Sequence, residues 1–423
     1  MTQRYDTYKD SGMQWLGEIP GHWGCVSLRK FLRIFSEKNC GDKQLLSVTR
    51  EQGVVVRDIS SKEDNHNFIP NDLSGYKHVQ IGNFVINKMK SWQGSYGVSN
   101  YEGIVSPAYY TCKLEGINKT FFNLAIRSKI YVSFFGRYSK GIRVDQWDLS
   151  PVALKSIPFA VPPLSEQRSI VSFLDDKCGK IDEWVTKKQK EVEHLQELKQ
   201  RVIADAVTRG LNPHVKMKTT NIPWIKEIPE HWEIKPIRAI LRENTDKTET
   251  GDEELLSLSQ YTGISRKKDA TKIGMFEAES TVGYKKVHPG QFVMNIMLAW
   301  NGSYAVSEFE GIISPAYCVF DFISKDEKMY YNYLWRLSMY QGAFKTESRG
   351  IIDSRLRLYP SKFLPFPTIC PPIEEQKQIV SYLDAKCSKI DKLIDNITKE
   401  IECIKEYKQR LISDVVTGQI KVC

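Results

Sequence analysis

The sequence predicts two copies of a mixed α/β globule, each followed by one long helix, with the two helices paired as an antiparallel coiled coil. Three observations lead there. The chain repeats itself at an offset of 209 residues, each copy carries a proline pair at the same place, and beyond each pair apolar residues recur every seven positions.

The repeat begins at Trp15-Leu16-Gly17-Glu18-Ile19-Pro20-Gly21-His22-Trp23, which returns as Trp224-Ile225-Lys226-Glu227-Ile228-Pro229-Glu230-His231-Trp232. Leu45-Leu46-Ser47 returns as Leu255-Leu256-Ser257, and Trp92-Gln93-Gly94-Ser95-Tyr96 as Trp300-Asn301-Gly302-Ser303-Tyr304. Ser106-Pro107-Ala108-Tyr109 matches Ser314-Pro315-Ala316-Tyr317, and Pro162-Pro163-Leu164-Ser165-Glu166-Gln167 matches Pro371-Pro372-Ile373-Glu374-Glu375-Gln376. Both copies close alike, on Val207-Thr208-Arg209-Gly210 and Val416-Thr417-Gly418.

Within each copy, short apolar runs such as Phe84-Val85-Ile86 and Phe292-Val293-Met294, bounded by Gly, Asn, Ser and Pro, read as strands joined by turns. The proline pairs suit the first turn of a helix, and Glu166, Glu374 and Glu375 sit favourably against the positive end of its dipole. A helix from about Leu164 to Val207 would be roughly 65 Å long. In the second copy Ile390, Ile397, Ile404 and Leu411 form one heptad row, with Ile394, Ile401, Lys408 and Val415 as its companion. Ile181, Lys188, Leu195 and Val202, beside Val185, Val192, Lys199 and Ala206, repeat the rows more roughly. A stripe that narrow calls for another helix, and the other copy supplies one. The chain thus divides into residues 1–161, a helix over 162–210, a polar linker 211–221, residues 222–370 and a helix over 371–423.

At 423 residues with 41% hydrophobic content the chain can build such cores, and no run of about eighteen apolar residues suggests a membrane span. A cytoplasmic location is expected. The net charge of +9 favours a polyanionic partner, because Lys and Arg set against phosphates release counterions. The nine cysteines form no Cys-x-x-Cys pair and the seven histidines show no ligand spacing, so neither a metal site nor a disulfide framework is expected. His22 and His231, beside tryptophans in the repeated motif, are expected to cap or pack there.

Motifs for catalysis are missing. There is no Gly-x-x-x-x-Gly-Lys-Ser/Thr phosphate loop and no Gly-x-Gly-x-x-Gly after a strand. Val161-Pro162-Pro163-Leu164 and Cys370-Pro371-Pro372-Ile373 lack the polar and aromatic flanks of an amino-methyltransferase motif. Ser106-Pro107-Ala108-Tyr109 and its copy come closer, yet without a cofactor loop they read as turns followed by a core tyrosine. Glu197-Leu198-Lys199 and Glu375-Gln376-Lys377, forced into a nuclease pattern, fall on the long helices as solvated faces.

Taken together, Trp-x-x-x-Ile-Pro-x-His-Trp, Pro-Pro-x-x-Glu-Gln and the closing Val416 to Val422 resemble the specificity subunit of type I restriction-modification systems over essentially the whole chain. The resemblance implies that each globule is a target-recognition domain reading one half of a bipartite, asymmetric site in double-stranded DNA. It implies that the helices set the spacer and dock two methylation subunits, with restriction subunits added to the assembly. S-adenosylmethionine, ATP and Mg are then expected on those partners, with no cofactor, no metal and no catalytic residue on this chain.

Base edges are read by Arg, Lys, Asn and Gln, while phosphate contacts fix the register, and loops are the natural place for both. In the first globule the candidates are Arg50 and Gln52, then Lys88, Lys90 and Gln93, then the basic turn carrying Arg137, Lys140, Gly141 and Arg143. In the second they are Gln260 and Tyr261 with Arg266, Lys267 and Lys268 nearby, then Asn295 and Asn301, then Lys345, Ser348 and Arg349 before Gly350. The turns at Lys140-Gly141 and Arg349-Gly350 are the strongest candidates for phosphate contact. Trp92 and Trp300, present in both copies, are expected to serve shared packing.

Overall fold

Strands of only three to six residues cannot hold a globule alone, and each copy therefore layers a small antiparallel sheet against short helices. The computed structural model describes residues 3–58, 70, 72–141, 147–260, 262–267, 280–350 and 356–422. They fall into two compact units, residues 1–189 with 398–423 and residues 190–397. Each unit thus takes one globule together with part of each long helix.

In the first unit a four-stranded sheet runs in the order Leu32–Phe35, Tyr110–Leu114, Phe84–Ile86, Tyr96–Val98. Alternation along the strand Phe84–Ile86 sends Phe84 and Ile86 into a large core and Val85 into a smaller one. The large core is aromatic. Tyr96 stacks on Phe135 at 4.3 Å, and Phe122 meets both Phe84 and Phe159, at 5.1 and 5.3 Å. It is covered by helices α1 (Lys119–Ile126), α2 (Lys129–Tyr138) and α3 (Pro151–Ser156). The Asn118 side chain caps α1 by accepting from Phe121 N, and Ser150 caps α3 ahead of Pro151. The smaller core, with Leu46, Val48, Val54, Val79 and Val105, lies beneath a hairpin of Leu46–Thr49 and Gly53–Val56.

Helix α4 (Leu164–Arg209) follows, two residues longer than its sequence pattern suggested. The second unit repeats the plan: a sheet ordered Leu241–Asn244, Tyr317–Phe322, Phe292–Asn295, Tyr304–Val306, then α5 (Lys328–Trp335), α6 (Ser338–Glu347), α7 (Pro360–Phe363) and α8 (Ile373–Val416).

The repeated motifs meet in space. In the first unit Glu166, in the first turn of α4 and 6% exposed, accepts from Trp23 Nε1 at 3.1 Å and from the Tyr5 hydroxyl, and lies 2.8 Å from His22 Nε2. The next residue, Gln167, accepts from Asn118 N at 2.9 Å and donates to Pro162 O at 2.9 Å. The second unit repeats both arrangements. Glu375 holds His231 and Trp232 at 2.8 and 3.0 Å, while Gln376 takes Glu327 N and gives to Pro371 O, both at 2.8 Å. The Glu-Gln pair therefore clamps each globule onto the start of its helix, a stronger role than the dipole contact expected of Glu166 and Glu375.

The helices pair antiparallel within each unit. In the first, Ile170 and Leu174 of α4 share a core with Leu411, Val415 and Val416 of α8. In the second, Ile203, Ala206 and Val207 share one with Ile379, Val380, Leu383 and Cys387. Val185, Ile390, Ile397 and Ile401 are buried, and the other expected heptad positions are buried or half-buried, which is the coiled-coil pattern. The structure departs from the sequence reading at the linker. Its second half forms a strand, Met217–Ile222, against Ile225–Pro229, repeating the pairing of Tyr8–Asp10 with Glu18–Pro20. Two threonines and an available partner strand outweigh the polar composition. Among the described residues no helix is long and apolar enough to cross a membrane.

Candidate nucleic-acid interface

The first candidate stretch is the turn of the hairpin Leu46–Val56. Thr49 pairs with Gly53, so Arg50 and Gln52 stand exposed at the tip, and Gln52 N is held by Thr49 Oγ1 at 3.1 Å. A guanidinium supports this tip from below. Arg127, at the junction of α1 and α2, donates through Nη2 to Glu51 O at 2.7 Å and Arg50 O at 3.2 Å, and through Nη1 to Tyr96 O. Gly53, at φ +77°, admits this approach, since a Cβ there would lie 2.9 Å from Arg127 Nη1. Burial pulls the Arg127 pKa down, yet arginine stays charged, so these are charge-assisted bonds. In the second unit Arg336 donates to Gln260 O in the turn between Ser259 and Gly263, and burial lowers its pKa likewise.

The second stretch is the loop after the strand Phe84–Ile86. It is closed by Asn87 N to Ser95 O at 3.0 Å and turned by Gly94 at φ +91°, with Lys90 exposed and Gln93 half-buried. Lys88 is engaged with Asp148 at 2.9 Å, a hydrogen bond that raises its pKa. In the equivalent loop Asn295 is 4% exposed and its Oδ1 accepts from Met297 N at 3.0 Å. Asn295 corresponds to the buried Asn87, and both shape their loops from inside. This corrects the reading of Asn295 as a base contact. Asn301 is half-buried.

The third stretch joins the second. Lys140 pairs through its backbone with Asp148 at 3.0 and 2.9 Å, and Leu149 N reaches Lys88 O at 3.2 Å. Arg349 pairs with Arg357 at 3.0 and 2.9 Å, and Leu358 N reaches Ile296 O at 2.8 Å. Arg137, Lys140, Lys345 and Arg349 are exposed; Ser348 is half-buried and donates to Phe344 O at 2.8 Å. Lys345 Nζ lies 4.9 Å from the Trp300 ring, while Trp92 meets Trp147 edge-on at 5.5 Å. The tryptophans thus brace the second stretch against the third. Arg266 is exposed but tied to Glu254 at 3.1 Å, and Lys267 is half-buried. Arg143, Tyr261 and Lys268 lie outside the described residues.

Residues 229–403 match the family model described as "Type I restriction modification DNA specificity domain". The chain is 26% identical to the "Type I restriction enzyme MjaVIII specificity subunit" of Methanocaldococcus jannaschii, over 96% of this chain and 94% of that one. It is 22% identical to the "Putative type I restriction enzyme MjaX specificity subunit" of the same organism, over 96% of each. Over nearly its whole length the chain is thus similar to type I restriction specificity subunits. A solved structure described under "Structural basis underlying complex assembly and conformational transition of the type I R-M system" shares the fold, with a TM-score of 0.64 at 13% identity over 94% of this chain and 98% of that one.

Two features of these units escape a reading by residue type. Arg127 and Arg336 hold divergent turns from below, and the signal for them is an arginine kept at the repeat offset while its neighbours change. The second-stretch loops also expose apolar side chains, Met89 at 47%, Met297 at 37% and Leu298 at 39%, suited to contact with thymine methyl groups.

Proposed function

We propose that each specificity domain reads one half of a bipartite, asymmetric site in double-stranded DNA, and that α4 and α8 set the spacer and dock methylation subunits. The observation that carries this is the buttressed turn: an arginine at the same repeat position, Arg127 or Arg336, holds the carbonyls of Arg50 and Glu51 in one copy and that of Gln260 in the other. A shared scaffold bearing different hydrogen-bonding groups is what two different half-sites require. The neighbouring turns at Lys140 and Arg349 supply charge for phosphates.

On this reading the chain directs chemistry without performing it, and S-adenosylmethionine, ATP and Mg act on partner methylation and restriction subunits. The purified chain alone then shows no methyltransferase, nuclease or ATPase turnover. The deciding experiment exchanges residues 1–161 for those of another family member and maps methylated adenines in cells carrying the partner subunits. One half-site should change while the other stays; joint change of both halves overturns the two-reader assignment.

A further inference from the structure

His78 lies on the strand Lys77–Val79 of the first unit and is 5% exposed. Its Nε2 is 3.0 Å from Glu102 Oε1, an oxygen that also takes Lys43 Nζ at 2.8 Å. An ionised carboxylate only accepts, so Nε2 carries the ring proton and a neutral imidazole leaves Nδ1 with a bare lone pair. That lone pair faces another acceptor. Glu37 Oε2 is 3.2 Å away, yet among the described residues Nδ1 has no hydrogen-bond partner of adequate geometry. The Cys40 sulfur joins them, and the three donor atoms of Glu37, Cys40 and His78 all lie within 4.8 Å of one another.

Glu37 is exposed and Cys40 half-buried, so the buried Nδ1 lone pair of His78 opens toward a carboxylate and a thiol that solvent, and hence a cation, can reach. The second unit supplies its own positive charge at this place. His78 N bonds to Glu37 O at 2.8 Å, and the equivalent bond joins Lys286 N to Asp246 O at 2.9 Å, which fixes Lys286 as the counterpart of His78. Lys286 extends its ammonium to within 3.8 Å of Glu253. Glu249 stands at the repeat position of Cys40, so the second copy has neither thiol nor imidazole here.

We propose that Glu37, Cys40 and His78 form a binding site for a tetrahedral divalent transition ion of the zinc type, found in the first copy only. One imidazole, one thiolate and one carboxylate are a ligand set that such an ion accepts, with water in the fourth position. Glu102 supplies the customary outer partner, accepting the other ring N–H and fixing the tautomer. Residues 37, 40 and 78 are brought together by strand pairing and not by local spacing, which is why the sequence pattern gave no sign of them. Bound there, the ion ties the segment leading to the hairpin Leu46–Val56 onto the strand Lys77–Val79. The proposal does not depend on the DNA-reading assignment.

The test uses the full chain, stripped with a chelator and titrated with Co2+ as the probe. One equivalent should bind with a thiolate-to-cobalt charge-transfer band that Zn2+ displaces. Cys40→Ser should abolish the band, Glu102→Gln should weaken binding by about 10–100-fold, and Cys403→Ser, an exposed thiol elsewhere, should leave both unchanged. His78→Lys installs the residue that the second copy tolerates and should fold, by circular dichroism and thermal melt, yet bind no cobalt. A wild-type chain without the band, a band that survives Cys40→Ser, or a folded His78→Lys variant binding like wild type overturns the proposal.

Discussion

Lys408 donates to both carboxylate oxygens of Asp182, at 2.6 and 2.7 Å, from a heptad position where an apolar residue would be expected. One repeat offset away the same pair recurs with its members exchanged: Lys199 donates to Asp391 at 2.7 Å through both oxygens. Residue i of α4 meets j of α8, and j of α4 meets i of α8, as in a self-complementary interface. Lys199 and Lys408, two of the three lysines that interrupt the apolar rows, are therefore register markers. Solvent still reaches the aspartates, at 63% and 55% side-chain exposure, so each pair contributes little to stability.

The first prediction follows from that balance. Asp182→Lys sets two ammonium groups against each other and should lower the melting temperature; adding Lys408→Asp should recover most of the loss, with a coupling of about 0.5 kcal/mol. Lys408→Leu should be neutral or stabilising, since it completes an apolar row with Ile401 and Val415. Melts of the wild type, Asp182→Lys, Lys408→Asp, the double charge reversal and Lys408→Leu check this. A markedly destabilised Lys408→Leu would mean that the ion pair is an essential strut.

A second prediction concerns the buttress. Arg127→Ala removes charge-assisted bonds to Glu51 O, Arg50 O and Tyr96 O, each ordinarily contributing about 1.5–3 kcal/mol. The tip Arg50-Glu51-Gln52 should loosen, and affinity for a cognate duplex should fall by about tenfold or more. Arg127→Lys should not restore it, because one ammonium lacks the planar fork that spans separate carbonyls. Arg336→Ala should do the same through Gln260. Binding to duplexes scrambled in one half-site at a time shows whether each variant loses discrimination at its own half alone; loss at both halves together would reject the assignment.

Much of the architecture was legible because it is local and written twice. The offset between copies, the proline pairs and the heptad rows place α4 and the start of α8 to within two residues, since helix periodicity and N-terminal signals act over one or two turns. Helix α8 instead ends at Val416, seven residues before the expected end, where Gly418 at φ +77° turns the chain. The candidate surface was legible only in part. Exposed Arg50, Gln52, Lys140 and Arg349 look the same in sequence as engaged Lys88 and Arg266 or buried Asn295, because burial here is decided by partners that arrive from elsewhere, such as Asp148 and Glu254. Arg127 and His78 escaped, and Glu166 was read only as a dipole contact, for the same reason: their partners lie 76, 24 and 143 residues away.

A third prediction separates those charges. If Lys140 and Arg349 contact phosphate, Lys140→Ala and Arg349→Ala should each weaken binding alike on all sequences and flatten the plot of log affinity against log salt by about 0.9. Lys88→Ala should change the slope less, because Asp148 already offsets that charge. Fluorescence anisotropy over a salt series reads all three, and slopes equal to wild type for Lys140 and Arg349 would place both away from the backbone.

The last prediction tests the helices as a ruler. Four residues inserted into α4 near Gln189 add about 6 Å of rise and some 40° of rotation. The insertion falls between Asp182 and Lys199, whose partners Lys408 and Asp391 keep their spacing on α8, so both ion pairs cannot persist and some stability should be lost. A matched insertion in α8 near Thr398, between Asp391 and Lys408, restores equal spacing and should recover the melting temperature. Since B-DNA rises about 3.4 Å per base pair, the doubly inserted chain should direct methylation to sites whose spacer is longer by one or two base pairs, with both half-site sequences unaltered. Mapping of methylated adenines gives the spacer directly. An active double insertion that keeps the original spacer would remove the ruler role from α4 and α8 while leaving the two reading domains in place.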